Sequence, residues 1–215
     1  LRPKLEISGD TYSAISVIQE APTMPVGSTE LRPHRMAVGL YDLSGSTLKL
    51  RKSVELDVAG ALTEVKELAG EKVADLLLLN DRDLSYGKIR FDDRSIATLK
   101  SHLGKLDDGL ARALCWSAAW DMLRDAEISA TDFVEIAIAG MPGESDITIV
   151  TMLIAQLSTA VELYASEKNR DGLRELIAAT LIGLLDAATP ESDHQLQFAK
   201  GFAALDHTPA QGARI

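Results

Sequence analysis

The 215-residue sequence predicts a β-then-α chain: an antiparallel β-sandwich followed by stacked antiparallel α-helical hairpins. Three observations carry that prediction. Apolar residues recur at every second position before about Asp93 and at every third or fourth position after it. Polar turn segments interrupt the first part at short intervals, as antiparallel strands require. In the second part, short polar links join long apolar-striped segments, which sets neighbouring helices side by side. The change of period divides the chain into residues 1–92 and residues 93–215.

In chain order, Ile15 and Val17 alternate with Ser13 and Ser16 on a strand. Met36, Val38 and Leu40 do the same on a second, which ends at a hairpin turn formed by Ser44-Gly45-Ser46. Over residues 48–59 the even positions Leu48, Leu50, Lys52, Val54, Leu56 and Val58 oppose Lys49, Arg51, Ser53, Glu55, Asp57 and Ala59. That pattern is one half-buried strand, or two strands sharing a register across a bulge. Further strands are predicted at 64–68, 76–79 and 86–91, about seven in all. Asn80-Asp81-Arg82-Asp83 supplies turn chemistry between the last two, and it lacks the Gly and distant Glu of a calcium-binding EF-hand loop.

Helices are predicted at 94–104, 108–126, 130–140, 145–166, 171–188 and 192–206. The fourth carries a continuous stripe of Ile147, Val150, Ile154, Leu157, Val161 and Tyr164, and the fifth repeats it with Leu173, Ile177, Leu181 and Leu184. Ser129, three residues before Asp132, and Ser192 after Thr189-Pro190 are start signals.

Composition narrows the function. The chain is 46% hydrophobic and 25% charged, enough for a sizeable core, and its net charge of −10 disfavours nucleic acid and anionic membranes as partners. No window approaches the ~20 unbroken apolar residues of a membrane span, so a soluble chain is expected. The single cysteine, Cys115, lies in an apolar stretch and reads as buried packing; it fits a reducing compartment, and a cytoplasmic location is expected. The first residue is Leu1, so a chain either processed or cut from something longer is expected, and the last residues, 211–215, follow a helical pattern without a stop signal, so a cut at the far end is expected too.

No local catalytic signature emerges. His34, His102, His194 and His207 are widely separated, none opens an H-E-x-x-H motif, and no metal site is expected in this chain. Glycine-rich phosphate loops and the G-x-S-x-G nucleophile turn are missing. The most distinctive cluster is Trp116, Trp120 and Leu123, on one face of the second helix with Ala119 and Arg112. Two indoles one turn apart fit a join between the helical domain and the sandwich better than a ligand-stacking site. Asp121, Arg124, Asp125 and Glu127 on the same helix read as surface ion pairs, with contact to a peptide terminus as the alternative.

Several strings resemble the aminopeptidase N family of zinc gluzincin aminopeptidases, in its actinobacterial type. They are Leu31-Arg32-Pro33-His34-Arg35 leading into Val38-Gly39-Leu40-Tyr41-Asp42; residues 76–81 leading into Leu84-Ser85-Tyr86-Gly87-Lys88-Ile89-Arg90; and Arg112-Ala113-Leu114, Trp116, Trp120-Asp121-Met122 and Arg124-Asp125-Ala126-Glu127. The resemblance covers nearly the whole chain. It implies that residues 1–92 are the β-sandwich after the catalytic domain and that 93–215 are the N-terminal part of a helical cap. The family's H-E-x-x-H helix and G-x-M-E-N loop are missing from this sequence, so the resemblance implies an inactive segment with no cofactor of its own. The intact parent would be a metallopeptidase that removes N-terminal amino acids from peptides, with zinc in its catalytic domain. Its catalytic domain and its peptide substrates would be the partners, with no nucleic acid and no membrane. Trp116, Trp120 and Arg124 are then candidates for the substrate chamber or a domain interface. The competing reading is a stand-alone protein-binding adaptor of sandwich plus helical array. A helical layer cut short would leave stripes such as that of residues 147–164 thinly covered, and self-association at high concentration is expected.

Overall fold

The computed structural model describes residues 1–22, 27 and 29–205. Two three-stranded antiparallel sheets precede six α-helices among these residues. The strands are β1 (Arg2–Ser8), β2 (Thr11–Ile18), β3 (His34–Ser44), β4 (Thr47–Val58), β5 (Leu62–Glu64) and β6 (Leu76–Leu79). The helices are α1 (Asp93–His102), α2 (Gly109–Arg124), α3 (Ala130–Gly140), α4 (Ile147–Thr159), α5 (Glu167–Ala187) and α6 (Asp193–Ala203). One sheet has the order β1-β2-β5 and the other β4-β3-β6. Compact packing divides the chain into a first unit, Leu1–Leu99 with Lys105–Ala118, and a second, Lys100–Gly104 with the chain from Ala119 onward.

In the first unit, β3 and β6 have Met36, Ala37, Val38, Leu40 and Tyr41 buried, and all four leucines of residues 76–79. Strands covered on both faces lose the polar alternation that marks a half-exposed strand. Each enclosed leucine contributes roughly 1.5–3 kcal/mol relative to its exposed state. β6 is an edge strand, and its outer side is closed by α1. The Ser95 hydroxyl accepts from the Leu77 amide at 2.9 Å, and the Thr98 hydroxyl donates to the Asp75 carbonyl at 2.6 Å. Asp92 accepts from the Arg94 and Ser95 amides and so starts α1 directly over that edge.

The hairpin turn after Ser44 is present, with Gly45 at φ +61°. Residues 47–58 form one strand, and the pairing slips opposite Leu40 and Tyr41 so that Arg51 is the extra residue of a bulge. Leu50 is 45% accessible although it shares even parity with the buried Leu48 and Val58.

Three strand predictions need correction. β1 was not expected from the sequence: only part of it is shielded, Pro3 lies within it, and a bulge between Glu6 and Ile7 breaks its register with β2. The strand expected over 64–68 ends at Glu64, and Lys66–Leu68 winds into a 3-10 turn that buries Leu68. Residues 86–91 form no strand; Ile89, Arg90 and Phe91 are all buried in succession, and the Arg90 amide pairs with the Leu1 carbonyl at 2.9 Å rather than with a ladder.

In the second unit, α5 and α6 pack together, α4 lies against α6, and α3 lies against α5. Gly201 allows one of these contacts, because a Cβ there would come within 2.7 Å of the Ile154 side chain. Gly143 permits close approach of the turns that follow α3 and α1, since its Cβ would run into the backbone of Gly104. The single helix expected over 145–166 is α4 followed by a π turn, Ala160–Tyr164, closed by the Ala165 amide donating to the Ala160 carbonyl at 2.9 Å. The wider turn shifts the buried stripe by one residue. Val150, Leu153, Leu157 and Val161 are buried and Ala165 continues them, while Tyr164 turns outward to 41% exposure. By length and composition Ile147–Tyr164 could cross a membrane, with mean hydropathy 1.5, and under a third of it is buried. The predicted end of the last helix at 206, His207 and residues 211–215 lie outside the described residues.

Candidate functional site

α2 starts where Asp108 accepts from the Leu110 and Ala111 amides, and it buries the face bearing Arg112, Cys115, Trp116, Ala119 and Leu123. The Arg112 guanidinium is enclosed and donates to the Leu106 carbonyl at 2.6 Å. Trp116 is fully enclosed and belongs to the first unit, whereas Trp120 belongs to the second. The Trp120 ring lies 5.3 Å from Phe133 and meets Tyr164 edge-on at 6.1 Å. Arg124 is exposed on the last turn of α2.

Beside this aromatic group lies an open cleft of about 480 Å³ in the second unit, lined by residues 126–132 of the α2–α3 turn, by 164–166, and by Leu123 and Asn169. Two local structures shape its wall. At the end of α2 the Ala126 amide donates to the Leu123 carbonyl and the Glu127 amide to the Met122 carbonyl, with Ala126 held at φ +58°. That is a Schellman stop with alanine where glycine is favoured. Ser129 and Asp132 then form a reciprocal capping box that opens α3, as their spacing predicts.

The Asp132 carboxylate also takes the Lys100 ammonium, which bridges to Glu135 at 3.1 Å. Burial pushes Asp132 upward, but Lys100 and Ser129 outweigh it and hold the carboxyl below its usual range. Lys100 is raised above its usual value, chiefly by the hydrogen bond to Asp132. The cleft thus offers hydroxyls, an amide, an aromatic edge and the carboxylates of Glu127 and of Asp132, the latter paired with Lys100.

The structure brings Trp120 to the cleft through Tyr164; Trp116 and Arg124 do not line it. Sequence reading missed the cleft itself, whose one legible signal was the Ser129-to-Asp132 spacing. Cys115 is completely buried, and burial pushes its thiol well above the ordinary value, as a packing residue requires. His102 and His194 sit on different helices and His34 on a strand. Among the described residues no group of three or more His, Cys, Asp or Glu is placed to hold a metal ion.

The other buried polar group of note is in the first unit. The Tyr41 hydroxyl donates to Asp81 Oδ1, the Ser53 hydroxyl donates to Asp81 Oδ2 at 3.3 Å, and Gly39 leaves the space, since a Cβ there would lie 2.7 Å from the Asp81 carboxyl carbon. Asn80-Asp81-Arg82-Asp83 is therefore a structural turn, in which Asn80 also donates to the Ser85 carbonyl at 2.7 Å.

A comparison with known proteins gives these features their context. Over 216 aligned residues the chain is 44% identical to Aminopeptidase N of Streptomyces lividans, an alignment that takes in 98% of this chain and 25% of that protein. The chain is thus homologous to part of aminopeptidase N and spans about a quarter of that relative's length. The ERAP1-like C-terminal domain model matches residues 76–210, from β6 through the helices, and the chain belongs to that family.

Proposed function

We propose that this chain is a non-catalytic segment of a zinc-dependent aminopeptidase that removes N-terminal amino acids from peptides, and that it supports and encloses the chamber in which the peptide is cut. The observation that carries the reading is identity of 44% along nearly the whole chain to a quarter of a protein named Aminopeptidase N. In this reading the zinc and the groups that attack the peptide bond belong to residues outside the 215, and the parent's catalytic domain and its peptides are the partners. Trp120 and the exposed Arg124 are the candidates for a chamber wall, and the enclosed Trp116 is the packing that holds α2 in place. A cytoplasmic location goes with the reading, with neither membrane nor nucleic acid as a partner.

The test is to express the full-length gene product beside the 215-residue chain. The full-length protein should release the first residue of aminoacyl-p-nitroanilides and lose that activity on chelation, while the chain alone shows none. A full-length product without such activity would overturn the proposal.

A further inference from the structure

β1 is an edge strand, paired with β2 alone in the β1-β2-β5 sheet. The bonds made by β2 fix which backbone groups of β1 face outward. The Val65 amide donates to the Ile15 carbonyl at 2.8 Å, and the Gln19 amide donates to the Ala61 carbonyl at 3.0 Å. Ile15, Val17 and Gln19 therefore direct their backbone groups away from β1, and Ser16 and Ile18 direct theirs toward it. Lys4 and Arg2, opposite those two, bond to β2, while Leu1, Pro3, Leu5 and Ile7 turn their backbone groups to the outer side. The pairing slip near Glu6 leaves its extra residue, Ser13, on β2, so β1 keeps its alternation through Ile7.

That outer side is closed at one end. The Leu1 amino group donates to the Lys88 carbonyl at 2.8 Å, the Arg90 amide donates to the Leu1 carbonyl at 2.9 Å, and Pro3 has no amide with which to extend the pairing. Beyond it the outward groups of Leu5 and Ile7 meet no hydrogen-bond partner among the described residues. The Ile7 side chain is 52% exposed. On the other face of the strand Lys4 and Glu6 stand 3.8 Å apart with side chains 51% and 60% exposed.

This edge is complementary to itself. When two copies run antiparallel about Leu5, each Leu5 exchanges amide and carbonyl with its counterpart, and each Ile7 amide donates to the other copy's Pro3 carbonyl, the one backbone group a proline still offers. Lys4 of each copy then lies opposite Glu6 of the other on one face, and Ile7 lies opposite Pro3 on the other face. The smallest slip that still sets outward groups against outward groups puts Lys4 against Lys4, or Glu6 against Glu6, and like charges oppose both. We propose that β1 joins a second copy of this chain edge to edge, antiparallel and in register about Leu5, so that two three-stranded sheets become one of six. A strand edge of this length buries less than the ~1,200 Å² of a stable interface, so the pairing is reversible, with Kd roughly 0.1–1 mM.

Charge reversal followed by sedimentation velocity tests it. The wild-type chain should shift from monomer to dimer across a concentration series spanning that range. Lys4→Glu and Glu6→Lys each turn two opposite-charge contacts into like-charge ones, and each should weaken dimerisation about tenfold or more. Mixed one to one, the two variants place only acidic side chains opposite only basic ones, and the mixture should dimerise at least as well as the wild type. Both side chains are exposed, and a dimer restored by mixing excludes misfolding as the cause of the loss. A wild-type chain that stays monomeric throughout overturns the proposal. Dimers that withstand both reversals overturn it too, by placing the association elsewhere, as on the stripe of residues 147–164. A mixture that stays monomeric overturns the register about Leu5.

Discussion

The two units fasten their polar groups differently. In the first, polar side chains fasten the core, with Asp81 between Tyr41 and Ser53, Ser95 on the β6 edge and Arg112 on the Leu106 carbonyl, and surface ion pairs such as Arg51 with Asp42 and Glu71 lie outside it. In the second, ionic and capping contacts lie at helix ends and on the surface, as in Lys100 with Asp132, Asp146 at the start of α4, and Glu162 with Arg174. Paired strands leave an edge of backbone groups that something must satisfy, whereas a helix satisfies its own except at the ends. Ser95 and Arg112 in the first unit and Asp146 in the second each bond a backbone group that strand or helix pairing leaves open.

If that comparison holds, Asp81→Ala has a larger effect than any loss of a surface fastener. It strands the buried Tyr41 hydroxyl and should cost about 1–3 kcal/mol in urea unfolding. The pH dependence sharpens the point. Burial raises the Asp81 carboxyl above its usual range despite the bonds from Tyr41 and Ser53. The folded state therefore holds this proton more tightly, and its contribution to stability declines as pH rises from the ordinary carboxylate value through the raised one. Asp81→Asn should remove that slope; an unchanged slope would locate it elsewhere.

Asp132→Ala comes next, at about 1 kcal/mol for a lost helix cap and a partly exposed ion pair. Here the sign is opposite. The folded-state carboxyl is held low, so its contribution is present above the ordinary carboxylate value and fades as pH falls through the folded one. Acid unfolding curves of the wild type and the variant should converge at low pH. A cost equal to that of Asp81→Ala would break the distinction between core and surface fasteners.

The smallest effect has the opposite direction. Ala126→Gly relieves the left-handed backbone of the α2 stop at φ +58° and should raise the thermal midpoint, by about 0.5–1 kcal/mol in stability. A lower midpoint would mean that unfolded-state entropy outweighs the strain.

How far the candidate site was legible follows from the range of each interaction. Trp120 and the capping residues Ser129 and Asp132 were marked by spacing along one helix or turn. Tyr164 was assigned to a buried stripe, and only the π turn, with its extra residue, rotates it toward the cleft. Asn169 joins the cleft from α5, about forty residues from Ser129 in sequence, with no local pattern to announce it.

The sequence by itself determined the order of strands before helices, the helix starts at Ser129 and Ser192, the hairpin turn at Gly45, and the kinship with aminopeptidase N. Each structural feature among these rests on neighbours within about one or two turns, where periodicity and capping act. Only the tertiary structure decided that 86–91 pairs with Leu1 instead of a strand, that Arg51 bulges, and that the α2–α3 turn meets the start of α5 around a cleft. Those outcomes depend on which distant backbone and side-chain groups satisfy one another, and a pattern along the chain carries no record of that choice.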